Sequence, residues 1–150
     1  MPAHSETQFF PYSPHQLYAL VADVERYPEF LPWCRAARIL DRKADYFLAE
    51  LVITFKHLTE QYTSRVTTQP PTATQNGRID VELVSGPFDR LENHWRFEPA
   101  ANGTQVHFAV EFHFKSRLLD KLIGPLFGRA TEKMVSAFSS RAHALYGGTP

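Results

Sequence analysis

The run Val106-His107-Phe108-Ala109-Val110-Glu111-Phe112-His113-Phe114-Lys115 leads directly into Ser116-Arg117-Leu118-Leu119-Asp120-Lys121-Leu122-Ile123. The hydrophobic period changes at that junction. Before it, Val106, Phe108, Val110, Phe112 and Phe114 alternate with His107, Glu111, His113 and Lys115, which places the apolar set on one face of a strand. After it, Leu119, Leu122, Ile123, Leu126, Ala130, Met134, Ala137, Phe138, Ala142 and Leu145 recur at helical spacing. The chain therefore ends in a helix of about thirty residues, which Gly124-Pro125 should kink or break. Gly147-Gly148 is read as its end.

Working back from this junction, period two holds as far as Arg35. Phe47, Ala49, Leu51, Ile53 and Phe55 form one apolar set, Ile79, Val81 and Leu83 another, and Asn93, Trp95 and Phe97 a third. Apolar and polar residues on opposite faces mark a half-solvated antiparallel sheet. Gln69-Pro70-Pro71, Ser85-Gly86-Pro87 and Ala100-Ala101-Asn102-Gly103 separate the runs, and the Asn-Gly pair suits a hairpin. Nearer the N-terminus, Ser13-Pro14-His15-Gln16 has the form of a capping box. Leu17, Leu20, Val21 and Val24 follow on one helical face. Pro28 and Pro32 then break the helix, leaving Tyr27-Pro28-Glu29-Phe30-Leu31-Pro32-Trp33-Cys34 as a turn with exposed aromatics.

Strand–helix–strand alternation is missing, so a parallel doubly wound sheet is excluded. The expectation is an α+β fold in which a curved antiparallel sheet of six to seven strands wraps a long C-terminal helix, the helix-grip arrangement. One helix cannot fill such a concave face. The 150 residues include 12 Phe, 6 Tyr and 2 Trp, so rings either fill the remaining space or line a pocket in it.

Sixteen basic and sixteen acidic residues cancel, which argues against a strongly basic nucleic-acid domain, and no DNA partner is expected. Cys34 is alone, so no disulfide framework exists and a reducing compartment is expected. There is no apolar run of the roughly 18–20 residues that a membrane span needs. The first residues do not read as a signal or transit peptide. These features suggest a cytoplasmic chain.

Four segments stand at the spacings of a known family. They are Leu20-Val21-Ala22-Asp23-Val24-Glu25-Arg26-Tyr27-Pro28-Glu29-Phe30-Leu31-Pro32-Trp33-Cys34, Glu60-Gln61-Tyr62-Thr63-Ser64-Arg65-Val66, Gly86-Pro87-Phe88-Asp89-Arg90-Leu91-Glu92-Asn93-His94-Trp95-Arg96-Phe97 and Gly124-Pro125-Leu126-Phe127. The chain resembles the coenzyme Q-binding START-like family of the polyketide cyclase/dehydrase and lipid-transport superfamily. The resemblance runs from about Thr7 to Tyr146. It implies that residues 1–150 form a single START/Bet v 1-like lipid-binding domain with an internal apolar cavity. The implied function is binding of ubiquinone or another polyprenyl lipid in support of respiratory electron transport, with transient contact at the inner membrane surface. A toxin branch of the family implies the large ribosomal subunit as an alternative partner, and the wider superfamily implies a cyclase or dehydratase.

The residues themselves show little catalytic chemistry. The chain has no Gly-x-Ser-x-Gly elbow, phosphate-cradling glycine loop or Cys-x-x-Cys pair. His107 and His113 share a strand face with Glu111, but six strand residues span about 20 Å, too far to ligate one ion. No catalytic residue, catalytic cofactor or metal is assigned. A hydrophobic small molecule is the expected ligand. The candidate walls are Phe55, Leu83, Trp95, Phe97, Phe112 and Phe114 from the sheet and Leu122, Leu126 and Met134 from the helix. Phe30, Leu31 and Trp33, together with Phe127 beside Gly124-Pro125, are candidate gates. Tyr62 and Asn93 are the inward polar groups. Two readings stand open for them, a structural hydrogen bond or a contact to a ligand's polar head.

Overall fold

The computed structural model describes residues 3–55 and 58–147. Seven strands form one antiparallel sheet: β1 (Ala3–Phe10), β2 (Cys34–Arg42), β3 (Tyr46–Phe55), β4 (Leu58–Gln69), β5 (Gly77–Ser85), β6 (Phe88–Ala100) and β7 (Gly103–Phe114). Their order across the sheet is β1-β7-β6-β5-β4-β3-β2. Helix α1 (Pro14–Ala22) and a 3-10 turn (Val24–Glu29) lie between β1 and β2, while α2 (Arg117–Ile123) and α3 (Phe127–Tyr146) follow β7. This is the helix-grip architecture. Among the described residues, no helix is long and apolar enough to cross a membrane.

Local chemistry explains several boundaries. The Ser13 hydroxyl accepts from the Gln16 amide at 3.1 Å and the Gln16 side chain accepts from the Ser13 amide at 3.0 Å, completing the capping box. Leu17, Leu20 and Val21 of α1, and Val24 just beyond it, are buried as their spacing requires. At the β6–β7 hairpin Asn102 takes φ 64°, a conformation that asparagine tolerates well.

Irregular pairing interrupts the sheet at Cys34/Ala36, Ile39/Asp41, Thr63/Ser64 and Phe88/Arg90. Such bulges bend strands and reverse the face on which side chains emerge. At Phe88 the consequence is specific. Leu91, Asn93, Trp95 and Phe97 are the inward residues of β6, and the bulge turns even-numbered Phe88 inward with them.

The C-terminal region differs from a single kinked helix. Pro125 has no amide hydrogen, and Gly124–Leu126 forms a separate 3-10 turn between α2 and α3. The phase of the apolar stripe is lost there. Phe138 and Ala142 are buried, but Leu122 is 53% exposed and Leu145 49% exposed. Gly147 caps the end of α3, and Gly148 lies outside the described residues.

Candidate functional site

The inward rings form two clusters. In the first, Trp95 packs against Phe108 at 4.6 Å and Phe138 at 5.1 Å between ring centres, and it stacks on Phe97. Phe30 and Tyr27 meet Phe138 edge-on at 5.2 and 5.5 Å. In the second, Phe88 stacks on Phe114 at 4.8 Å, with Tyr62 and Phe112 set edge-on against it. Edge-to-face and offset contacts are the favourable geometries for aromatic pairs.

Each cluster borders a chamber. The first chamber, of about 100 Å³, is lined by α1, the 3-10 turn, β2 to β6 and α3, and includes Val24, Leu31, Cys34 and Ile79. The second, of about 190 Å³, is lined by Phe88, Leu91, Val110, Phe112, Phe114, Ile123, Ala130 and Thr131, among others. Trp33, Ile53, Tyr62, Asn93 and Met134 border both. The chambers therefore adjoin, and both polar candidates stand where they meet.

The polar groups differ in how they are satisfied. Asn93 Oδ1 is buried without a hydrogen-bond partner, which normally costs on the order of 1–3 kcal/mol. Tyr27 is spoken for, since its hydroxyl donates to the Val21 carbonyl. Burial pushes the Tyr62 phenol far above its ordinary pKa, with the Cys34 sulfur adding to the effect. Tyr62 consequently stays a neutral hydroxyl. The Cys34 thiol is also raised, to about 11, chiefly by desolvation, while a hydrogen bond with the Ala36 backbone pulls the other way. Raised in this way, it is a poor nucleophile at neutral pH.

The residues expected to meet the ligand divide three ways. Leu31, Trp33, Tyr62, Asn93, Trp95, Phe112, Phe114 and Met134 border one or both chambers. Phe97, Leu83, Phe30, Leu122 and Leu126 do not. Phe97 is fully buried between Trp95 and Tyr18 and is core. Leu83 lies beyond the last β5–β6 pair, Glu82 with Glu92. Phe30 packs on Tyr27 and Phe138 under the Arg141 guanidinium, so the aromatics of this turn are less exposed than its prolines suggest. Leu122 turns to solvent, and its neighbour Ile123 takes the wall position. Leu126 sits in the 3-10 break, off both walls. The side chains of Phe55 and Phe127 lie outside the described residues.

Sequence reasoning missed Phe88, because the bulge before Arg90 inverts its parity. It also missed Ser64 and Cys34 as wall residues; both are buried, and only their placement beside Tyr62 reveals a role. The outward histidines are held by acids, His94 and His107 by neighbours on the same outer sheet face and His113 by a carboxylate of α2. His94 lies 2.7 Å from Asp80, His107 3.1 Å from Glu98, and His113 3.2 Å from Asp120.

Residues 10–139 match the family described as polyketide cyclase/dehydrase and lipid transport. The chain is 46% identical to a ribosome association toxin RatA of Rickettsia prowazekii, over 95% of this chain and 97% of the relative. It is 34% identical to a coenzyme Q-binding protein COQ10 homolog B of Xenopus laevis, covering 96% of this chain and 59% of that longer protein. The solution structure of the 18 kDa protein CC1736 from Caulobacter crescentus superposes with TM-score 0.77 at 39% identity, over 99% of this chain and 100% of that one. The Zhui aromatase/cyclase of a Streptomyces species shares the fold, with TM-score 0.81 at 16% identity over 99% of both chains. The chain belongs to the polyketide cyclase/dehydrase and lipid transport family, within the START-like fold.

Proposed function

We propose that this protein is a non-enzymatic carrier that binds ubiquinone or another polyprenyl lipid across its two adjoining chambers. In this reading it works in the cytoplasm, exchanges its ligand with the inner membrane surface and supports respiratory electron transport. The observation that carries the reading is the unpaired Asn93 carboxamide oxygen at the junction of two apolar chambers. An apolar pocket with a few placed polar groups is the usual form of a small-molecule site. A carboxamide donates through Nδ2 to a quinone carbonyl and accepts through Oδ1 from a quinol hydroxyl. The protonated Tyr62 hydroxyl supplies a second donor.

Chamber size limits what is held. Even together the two volumes fall just short of the roughly 300–1,000 Å³ typical of ligand pockets. They suit a substituted ring and the first isoprene units, so a long tail extends beyond these walls. Among the described residues, no carboxylate, imidazole or amine lines either chamber. The phenols and thiol that border them are raised by burial, which leaves no base for proton transfer. That supports binding over turnover.

The test is organic extraction of the purified protein followed by mass spectrometry, with reloading from detergent micelles. An isoprenoid quinone or polyprenol recovered near one per chain is expected. Failure to recover or load any such lipid would overturn the reading.

The 46% identity to a ribosome association toxin favours a second reading, binding to the large ribosomal subunit. Co-sedimentation of the full chain with that subunit, and growth arrest on overexpression, are its expected results.

A further inference from the structure

The outer face of α2 is occupied by two leucines one helical turn apart. Leu118 is 68% exposed and Leu122 53% exposed. The opposite face is anchored. The Asp120 carboxylate accepts from the Phe114 amide at 3.2 Å and lies 3.2 Å from His113 Nε2, while Ile123 walls the larger chamber. The Ser116 hydroxyl caps the helix by accepting from Leu119 N. These contacts fix which side of α2 meets solvent. The leucines are therefore held outward and are not the inner side of a loosely placed helix.

The charge around them has one sign. Lys115, Arg117 and Lys121 are exposed beside the leucines, and exposed Arg129 and Lys133 continue the series on α3. None of the five forms an ion pair among the described residues. Of the acidic residues in this stretch, Asp120 is engaged with His113, which leaves Glu132. In a chain whose formal net charge is zero, this is a local basic surface with an apolar centre.

We propose that this face of α2 docks on an anionic lipid bilayer and sets the wall of the larger chamber against the membrane. Exposed leucines lose water contact when they enter the headgroup boundary, and the surrounding cations are drawn to anionic lipid. A phosphate-rich RNA would satisfy the cations and leave the leucines without a role. The geometry therefore favours lipid over nucleic acid. Docking here goes beyond ligand binding in the chambers and does not require a particular ligand.

The experiment is flotation of the full chain with vesicles of phosphatidylcholine alone or with about one-third phosphatidylglycerol, at low and high salt. The wild type is expected to float with the anionic vesicles and to be released by salt. The double variant L118N/L122N should lose about tenfold or more in binding to those vesicles. Lys121→Glu should lose about fivefold or more. Both changes are on exposed side chains, so unfolding midpoints and quinone loading from micelles should match wild type. That control keeps failure of docking distinct from failure of the chamber reading. Wild type that ignores anionic vesicles would overturn the proposal, as would a double variant that binds them undiminished. Loss of co-sedimentation with the large ribosomal subunit in the double variant, without vesicle binding by wild type, would also overturn it and assign the face to the ribosome.

Discussion

Arg141 Nη2 donates to Glu29 Oε1 across 2.7 Å, joining α3 to the 3-10 turn that closes the smaller chamber. The same guanidinium lies 5.3 Å from the centre of the Phe30 ring, which packs edge-on against Phe138. One side chain thus holds the turn by charge and by its planar face. Sequence separation hides this pairing entirely.

Replacing Arg141 with Ala should lower stability by about 1–3 kcal/mol, since packing is lost with the cation–π contact and hydrogen bond. Glu29→Ala should cost less than about 1 kcal/mol, because that carboxylate is half exposed. Urea unfolding of both variants checks the order. Equal losses would show that the ion pair alone holds the turn.

Asn93→Leu separates the two readings of the inward amide. If the amide serves a ligand, the ligand-free variant should be as stable as wild type or gain up to about 1 kcal/mol, because an unpaired buried acceptor is removed. Quinone affinity should fall about five- to tenfold. Thermal unfolding and quinone titration are the measurements. A loss of about 1–3 kcal/mol with unchanged affinity would make Asn93 a purely structural residue.

Gly86, in the turn between β5 and β6, leaves the space that Tyr62 occupies. It has φ 152°, and a Cβ there would stand 2.6 Å from Tyr62 Cβ. Gly86→Ala should therefore cost about 1–3 kcal/mol and displace the phenol from the chamber junction. A fall in both unfolding midpoint and quinone affinity is expected, whereas Tyr62→Phe should lower affinity with a smaller stability change. Binding titrations alongside urea melts compare the two.

Alkaline pH should destabilise the protein in a defined window. Folding raises the Cys34 thiol from its ordinary value near 9 to about 11, so the folded state binds that proton more tightly than the unfolded chain. Its stabilisation is complete below about pH 9 and is lost as pH rises towards 11. Tyr27 and Tyr62, raised in the same direction by burial, add to the loss above about pH 10. The urea midpoint should be flat around neutrality and fall from about pH 9. Cys34→Ala should move that onset up by about one pH unit. An onset unchanged in the variant would remove Cys34 as its source.

Much of the fold was legible because it rests on neighbours in sequence. The Ser13–Gln16 capping box lies within one helical turn. The Asn102-Gly103 turn lies within one hairpin, and the inward sides of β3, β6 and β7 follow from strict alternation. The break at Gly124-Pro125 was legible too, since a missing amide hydrogen is a local property.

The site was less legible, because a wall residue is defined by what fails to pack against it. Phe97 and Phe112 share a parity, yet Phe97 is sealed by Tyr18 and Trp95 while Phe112 borders the larger chamber. Leu122 and Ile123 are adjacent, and the angle at which α2 leaves β7 decides which one faces in. A single bulge turns Phe88 inward against the alternation. Asn93 could be read as inward from sequence, but whether its oxygen finds a partner depends on distant strands and α3 meeting around it. Periodicity and turn chemistry act over a few residues, so the sequence alone determined the helix-grip order and the apolar face. Voids, unpaired atoms and charged rims arise only where distant segments meet, and the tertiary structure alone decided them.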